Sequence, residues 1–197
     1  MFNEIVVVVL GYLLGSIPSA YIIGHLTGSV DVRGGGDGHI SAAAVYKRLG
    51  FVPFMVVVVA DVGKGVAAIL IAKMLTDSLL VILITGVAVV VGHNWSIFLK
   101  FKGGLGATAI YGVLVSLIFW QFLIGAGIAA IPLVATRKSG VSTAVLIITV
   151  SVVLFIQKLP PILVMYPVIL ILLMVLKRFQ VSRAVADCCS KDATSEQ

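Results

Sequence analysis

Charged residues are scarce in this chain. Asp, Glu, Lys and Arg make up 11% of its 197 residues, whereas apolar residues make up 60%. A soluble domain carries about 25% charged residues, so the composition excludes an ordinary soluble fold and predicts an integral membrane protein. The length is that of a single domain.

Cysteine, histidine and paired carboxylates are also scarce. The two cysteines, Cys188 and Cys189, are adjacent, which argues against a disulfide between them, and the sequence shows no metal-ligand cluster. No Ser-His-Asp arrangement or carboxylate dyad is recognisable. We therefore expect no metal and no cofactor, and an enzyme made of these residues would work by positioning and electrostatics.

Acidic residues are fewer than basic ones: the chain has 8 acidic and 14 basic residues, which gives a net charge of +6. The basic residues lie between apolar stretches and not in one patch, which argues against nucleic-acid binding and is typical of cytoplasmic loops. The basic start of a cleaved signal peptide is missing too, since Asn3 and Glu4 precede the first apolar stretch. That stretch is interpreted as a retained span.

The fourth of six apolar stretches decides the predicted topology. As one helix it would be about 40 Å long, against a hydrocarbon core of about 30 Å. Divided near Trp120 into two short spans, it gives seven spans, with eleven basic residues on one side and Lys73 and Lys158 on the other. One undivided span gives six against seven, so the positive-inside rule favours seven spans. The stretches cover residues 4–27, 51–75, 79–95, 109–135, 141–157 and 161–177.

The predicted fold is therefore an all-α polytopic membrane protein with about seven transmembrane helices. The charge distribution predicts an external N-terminus and a cytoplasmic C-terminus. One transmembrane domain covers residues 1–179. Residues 180–197 are polar without apolar periodicity and are interpreted as a mobile cytoplasmic tail.

Two glycine-rich, basic segments interrupt the apolar sequence. Residues 33–41 read RGGGDGHIS, and residues 101–106 read FKGGLG just before a predicted helix start near Ala107. Glycine lets backbone N–H groups approach a ligand, and such groups beside cations or a helix N-terminus bind phosphate. The segments predict sites for anionic head groups. For Lys100 and Lys102, attraction to anionic lipid is an alternative.

Two ionisable residues, Asp61 and Lys64, lie in the middle of a predicted span. Their i, i+3 spacing places them on one helix face. Such residues are costly in hydrocarbon and either pair structurally or line a polar site, and both alternatives stay open. Gly63 and Gly65 beside them predict the close approach of another backbone.

The first span contains small residues and a proline. Gly11 and Gly15, four residues apart, predict close helix packing. Pro18 frees a backbone carbonyl, and Ser16 supplies a hydroxyl beside it. Together they predict a polar notch in this span.

In their order and spacing, these motifs resemble those of the bacterial acyl-phosphate:glycerol-3-phosphate acyltransferase family (PlsY). The resemblance covers residues 8 to about 145. The motifs that carry it are Gly15-Ser16-Ile17-Pro18, Asp31-Val32-Arg33 with Gly36 and Gly38, Asp61-x-x-Lys64-Gly65, Gly92-His93, Phe98-x-x-Phe101-Lys102-Gly103-Gly104-x-Gly106, and Thr136-Arg137.

The resemblance implies transfer of a fatty acyl group from acyl phosphate to glycerol 3-phosphate, giving lysophosphatidic acid for phospholipid synthesis. It implies a multi-pass protein of the bacterial inner membrane, with no metal, no cofactor and no protein base, so that a substrate phosphate accepts the proton. The implied substrate-binding residues are Ser16, Arg33, Gly36, Gly38, His39, Lys64, His93, Lys102, Gly103, Gly104, Gly106 and Arg137.

Departures from the family pattern keep other interpretations open. Leu105 stands where the family has a lysine, and Ala43 and Ala44 replace a threonine and an asparagine. A catalytically weak or inactive paralogue that binds lipid phosphates or a membrane partner is the first alternative. A small transporter, suggested by Asp61 and Lys64, is the second, although the sequence lacks the inverted repeats typical of that class.

Overall fold

The computed structural model describes residues 2–28, 42–136 and 139–195. This part of the chain is helical, with short connections and no strands. Its helices are α1 (Phe2–Ser16), α2 (Ser19–Gly28), α3 (Ala42–Leu49), α4 (Phe51–Leu75), α5 (Leu79–Asn94), α6 (Ala107–Leu117), α7 (Phe119–Thr136), α8 (Ser139–Ile156) and α9 (Pro161–Ser195). A single 3₁₀ turn, Ile97–Leu99, follows α5.

Five apolar segments are long enough to cross a membrane: Asn3–Thr27, Phe51–Leu75, Leu79–Leu99, Phe119–Thr136 and Pro161–Arg183. Two shorter apolar helices, Ala107–Leu117 and Gly140–Ile156, bring the apolar segments of the described residues to seven. The all-helical membrane fold is confirmed. The count of seven spans and the orientation of the termini stay predictions.

The long fourth stretch is divided, as its length requires. α6 ends at Leu117, Ile118 leaves the helical conformation, and α7 begins at Phe119, within two residues of Trp120. α6 has 11 residues and is about 16 Å long, well short of the hydrocarbon thickness. By itself it is too short to cross the hydrocarbon.

α5 lies at the centre of the bundle. It packs along α1 and also contacts α4, α6 and α9, while α7 packs along α8. The fully buried side chains of this core include Val89 of α5, Ile69 of α4 and Ile110 of α6. Because α5 contacts four other helices, its residues are held from several sides.

Glycines bring two helix pairs into backbone contact. A Cβ at Gly15 of α1 would overlap the backbone of Val89, and one at Gly112 of α6 would overlap the carbonyl of Val62. A Cβ at Gly65 would lie 2.9 Å from the Ala109 carbonyl oxygen. Close packing at Gly15 and Gly65 is thus confirmed, whereas Gly63 has no atom within 4 Å of its Cβ position. The expectation for Gly63 is wrong because it faces away from α6.

The polar C-terminal segment is helical as far as Ser195, and its mobility stays a prediction. α9 has 35 residues and continues without a break from the apolar segment to Ser195. Residues 180–195 contain neither glycine nor proline, and extending an existing helix costs far less than starting one. Helix α9 therefore crosses the predicted boundary at residue 179. That division, and the cytoplasmic placement of the segment, stay predictions.

Two glycines of one helix test the packing of α4 on α6. We expect Gly65→Ala to lower the free energy of unfolding by about 1–3 kcal/mol, because its methyl group meets backbone atoms that cannot move aside. Gly63→Ala is the matched control and should stabilise the protein by up to about 1 kcal/mol, since its methyl group meets open space and alanine favours the helix. Thermal denaturation in detergent measures both, and equal effects would contradict the packing described above.

Candidate active site

The break between α1 and α2 turns two backbone carbonyls towards neighbouring helices. Pro18 cannot donate an N–H, so the helix ends at Ser16 and restarts at Ser19. The carbonyl of Ser16 accepts a hydrogen bond from the hydroxyl of Ser96 at 2.5 Å, and that of Ile17 accepts one from the ammonium of Lys64 at 3.0 Å. The predicted polar notch is therefore present. The hydroxyl of Ser16 itself donates back to the Tyr12 carbonyl at 2.8 Å.

Asp61 of α4 contacts polar side chains of its own helix and of two others. Its Oδ1 lies 2.9 Å from Lys64 Nζ, and its Oδ2 accepts a hydrogen bond from Thr108 Oγ1 at 3.0 Å. The hydroxyl of Ser19 is a further partner of this carboxylate. The side chains of Asp61 and Lys64 are only 5% and 7% exposed. A buried carboxylate needs this degree of pairing, so Asp61 connects α4 to α2 and to the first turn of α6.

His93 lies at the last turn of α5, between Asp61 and the second glycine-rich segment. Its Nδ1 is 3.7 Å from Asp61 Oδ1. Its other ring nitrogen faces Gly104, where a Cβ would overlap the ring. Glycine at 104 is therefore required for the chain to pass His93 so closely.

The second glycine-rich segment folds back onto the end of α5. The N–H of Gly103 donates to the Asn94 carbonyl at 3.2 Å, and that of Gly104 donates to the His93 carbonyl at 3.0 Å. Gly106 has φ +84°, a left-handed conformation that favours glycine. It is the N-cap of α6, which begins at Ala107 as the sequence predicts. The segment thus ends at a helix N-terminus with no side-chain cap, a place suited to an anion.

Lys177 of α9 is a cation of this region that the sequence interpretation left out. It is 4% exposed, its ammonium lies 5.2 Å from the centre of the Trp95 ring, and it donates to the Phe101 carbonyl at 3.5 Å. Its spacing to buried Leu170 and Met174 is that of one helix face. That periodicity was the available signal, and it extends the buried face of α9 up to Lys177.

The structure brings half of the predicted site residues together. Ser16, Lys64, His93, Gly103, Gly104 and Gly106 surround the junction of the α1–α2 break, the end of α5 and the start of α6. Lys102 directly precedes Gly103 in the chain, and its side chain is exposed. The predicted residues Arg33, Gly36, Gly38, His39 and Arg137 lie outside the described residues.

Three buried polar atoms at this junction have no hydrogen-bond partner among the described residues, namely Nδ1 of His93, Oδ1 of Asn94 and Oδ1 of Asp61, whose contact with Lys64 is an ion pair. Burying an unpaired polar atom is costly, and native proteins keep few of them. In the described part of the chain, no three His, Cys, Asp or Glu side chains converge as a metal site would require. The N-terminus of α6, two buried lysines and a histidine meet at this junction, and these are groups that suit an anionic ligand.

Comparison with known sequences identifies the family of this chain. The sequence model of the glycerol-3-phosphate acyltransferase family matches residues 5–186. This chain belongs to that family. A relative from Moorella thermoacetica, glycerol-3-phosphate acyltransferase 2, is 42% identical over 59% of this chain and 61% of its own length. Glycerol-3-phosphate acyltransferase from Endomicrobium trichonymphae is 36% identical over 70% of this chain and 69% of its own length.

Solved structures extend the comparison beyond these alignments, which leave more than 30% of each relative uncovered. The crystal structure of PlsY, an integral membrane glycerol 3-phosphate acyltransferase, in its glycerol 3-phosphate form superposes with a TM-score of 0.76. The two chains are 29% identical, and the match covers 93% of this chain and 92% of PlsY. The lysophosphatidic acid form of PlsY gives a TM-score of 0.74. The family resemblance predicted from the motifs is confirmed.

The Asp61–Lys64 pair is open to a double-variant test. We expect Asp61→Asn to destabilise the protein by about 3–5 kcal/mol, because Lys64 is left as an unpaired buried charge. Adding Lys64→Met should recover much of that loss, since both charges are then gone and the volumes are nearly kept. Unfolding in mixed micelles of increasing sodium dodecyl sulfate content measures the three stabilities. A double variant no more stable than Asp61→Asn would contradict an ion pair as the reason for the loss.

Proposed function

We propose that this protein transfers a fatty acyl group from acyl phosphate to glycerol 3-phosphate, releasing lysophosphatidic acid and inorganic phosphate. We place the reaction at the cytoplasmic face of the bacterial inner membrane. Family membership supports acyl transfer to glycerol 3-phosphate, and the likeness to PlsY in its glycerol 3-phosphate and lysophosphatidic acid forms supports the acceptor and the product. The acyl-phosphate donor follows from the motif resemblance.

The proposal rests on one observation: the second glycine-rich segment folds onto His93 and Asn94 just before the start of α6. A Cβ at 103 or 104 would overlap the His93 carbonyl or the His93 ring, so glycine at both positions lets the segment pack directly on the end of α5. A phosphate bound beside the segment would meet the N-terminus of α6, whose dipole favours negative charge. Lys177 adds a buried cation from the side of α9.

In the proposed reaction, a hydroxyl of glycerol 3-phosphate attacks the carbonyl carbon of the acyl phosphate. The new ester C–O bond forms, the bond between that carbon and the phosphate oxygen breaks, and a substrate phosphate accepts the hydroxyl proton. The protein contributes by holding two anionic groups close together and by offsetting their charge. We assign this holding role to Ser16, Arg33, Lys102, Arg137 and the glycines of both segments, with Gly36, Gly38 and His39 in the first.

Lys64 and Asp61 act differently in this proposal. The ammonium of Lys64 is already bound to Asp61 and to the Ile17 carbonyl. We therefore assign Lys64 a positioning role: it holds the α1–α2 break against α4 and so keeps Ser16 and Ser96 beside the end of α5. His93, with one nitrogen towards Asp61 and the other towards Gly104, remains available to contact a phosphate.

The activity is tested directly with purified protein in detergent, supplied with glycerol 3-phosphate and palmitoyl phosphate. We expect lysophosphatidic acid to form, and Arg33→Ala to abolish or strongly reduce it, because one guanidinium bidentately bound to phosphate is lost. Lys73→Ala is the control, since that lysine caps the far end of α6 by donating to the Ser116 carbonyl. No product from the wild-type protein at millimolar substrate would refute the enzyme and favour the inactive paralogue.

Leu105 allows a gain-of-function test. Leu105→Lys restores the cation that the family pattern has within the glycine-rich segment. A hydrogen bond to a charged group is worth about 1.5–3 kcal/mol, so we expect the KM for glycerol 3-phosphate to fall about tenfold or more. Leu75→Lys adds the same charge at an exposed position at the end of α4 and should leave the KM unchanged. If both variants behave alike, Leu105 does not face the phosphate.

A further inference from the structure

The turn that follows α5, residues 96–102, exposes large apolar side chains outside any helix of the bundle core. Ile97 is 50% exposed, Phe98 60% and Phe101 58%. Between and after them stand Lys100 and Lys102, both exposed. Exposing three such side chains to water is unfavourable, and exposed apolar patches of this kind mark surfaces that bind a partner or a membrane.

The 96–102 turn is held in a fixed shape. Lys100 and Phe101 have φ values of 51° and 64°, a left-handed conformation that is unfavourable for residues with a Cβ. The Ser96 carbonyl accepts from the N–H of Phe101 at 2.8 Å, and the N–H of Lys102 donates to the Leu99 carbonyl at 3.1 Å. Strain of this kind persists only where the surroundings impose it, and such sites are typically functional.

Contacts from two other helices impose that shape. The Ser96 hydroxyl binds the Ser16 carbonyl at the α1–α2 break, and Lys177 of α9 donates to the Phe101 carbonyl. The side chain of Leu99 is only 8% exposed, so it anchors the turn in the protein interior. With the backbone held on both sides, the side chains at 98 and 101 point outward as a preformed surface.

The position and charge of the 96–102 turn indicate its partner. The apolar segment Leu79–Leu99 ends within it, so the turn lies where a membrane-spanning segment leaves the hydrocarbon. Aromatic and aliphatic side chains at this depth insert among acyl chains, while neighbouring lysines attract anionic head groups. An apolar face flanked by two lysines at the end of a membrane span matches the boundary between acyl chains and anionic head groups.

We propose that the 96–102 turn is a binding surface for anionic lipids of the leaflet it meets, with Ile97, Phe98 and Phe101 among the acyl chains and Lys100 and Lys102 at the phosphates. If the proposed function holds, the surface has a further role. Acyl phosphate is an anionic amphiphile too, and Gly103 directly follows Lys102. The turn then gathers the donor from the leaflet and presents its head group to the glycine-rich segment.

A tryptophan reporter in vesicles tests the lipid surface without any substrate. Phe98→Trp is made in a background of Trp95→Phe and Trp120→Phe, and its fluorescence is quenched with brominated phosphatidylglycerol or brominated phosphatidylcholine at equal content. We expect quenching by both lipids and more by phosphatidylglycerol. Lys100→Gln with Lys102→Gln should remove the difference, whereas Lys158→Gln, a charge removed from the α8–α9 turn, should leave it intact. Equal quenching by the two lipids, or none, would overturn the proposal.

A second measurement uses the protein with its native tryptophans. Phosphatidylglycerol retained after purification is counted by native mass spectrometry for the wild-type chain and for Lys100→Gln. Each lysine near an anionic surface enriches anionic lipid by up to about fivefold, so we expect a clear fall in retention. Unchanged retention would also overturn the proposal. Because neither measurement contains substrate, an inactive protein that keeps its lipid preference would refute only the proposed function.

Discussion

The ion pair of Asp61 and Lys64 is the interaction on which the rest of the structure depends. It lies inside an apolar helix, where each charge alone would be prohibitively costly. Both residues also form hydrogen bonds to other helices. Lys64 donates to the Ile17 carbonyl at the break in the first span, and Asp61 accepts from Thr108 in the first turn of α6. One buried pair thus fixes both the break that proline creates and the helix start that glycine creates.

Those two irregular points explain why the second glycine-rich segment is rigid. Ser96 is tied to the break, Gly106 is tied to the start of α6, and the chain between them is pinned to the carbonyls of His93 and Asn94. A loop held at each end and in its middle keeps one geometry beside the N-terminus of α6. Preorganisation of this kind suits an enzyme without an evident base, because its contribution to rate is electrostatic.

The lengths of the apolar stretches and the residues that end or begin helices were sufficient to predict much of this architecture. The apolar run 51–75 coincides with α4, and the glycines at 103–106 correctly place the start of α6 at Ala107. Three features escaped because they depend on what lies opposite. Gly63 and Gly65 differ only in which one faces α6, Lys177 points inward because of tertiary packing, and the polar end of α9 is helical because the preceding span has already formed the helix.

The continuity of α9 has a mechanical consequence. After Pro167, the helix contains no proline or glycine up to Ser195, so the backbone that carries Lys177 continues to Ser195 without a residue type that kinks helices. Lys177, whose ammonium lies 5.2 Å from the centre of the Trp95 ring, belongs to this helix. A tilt of the helix as one body would therefore change the distance between that ammonium and the ring.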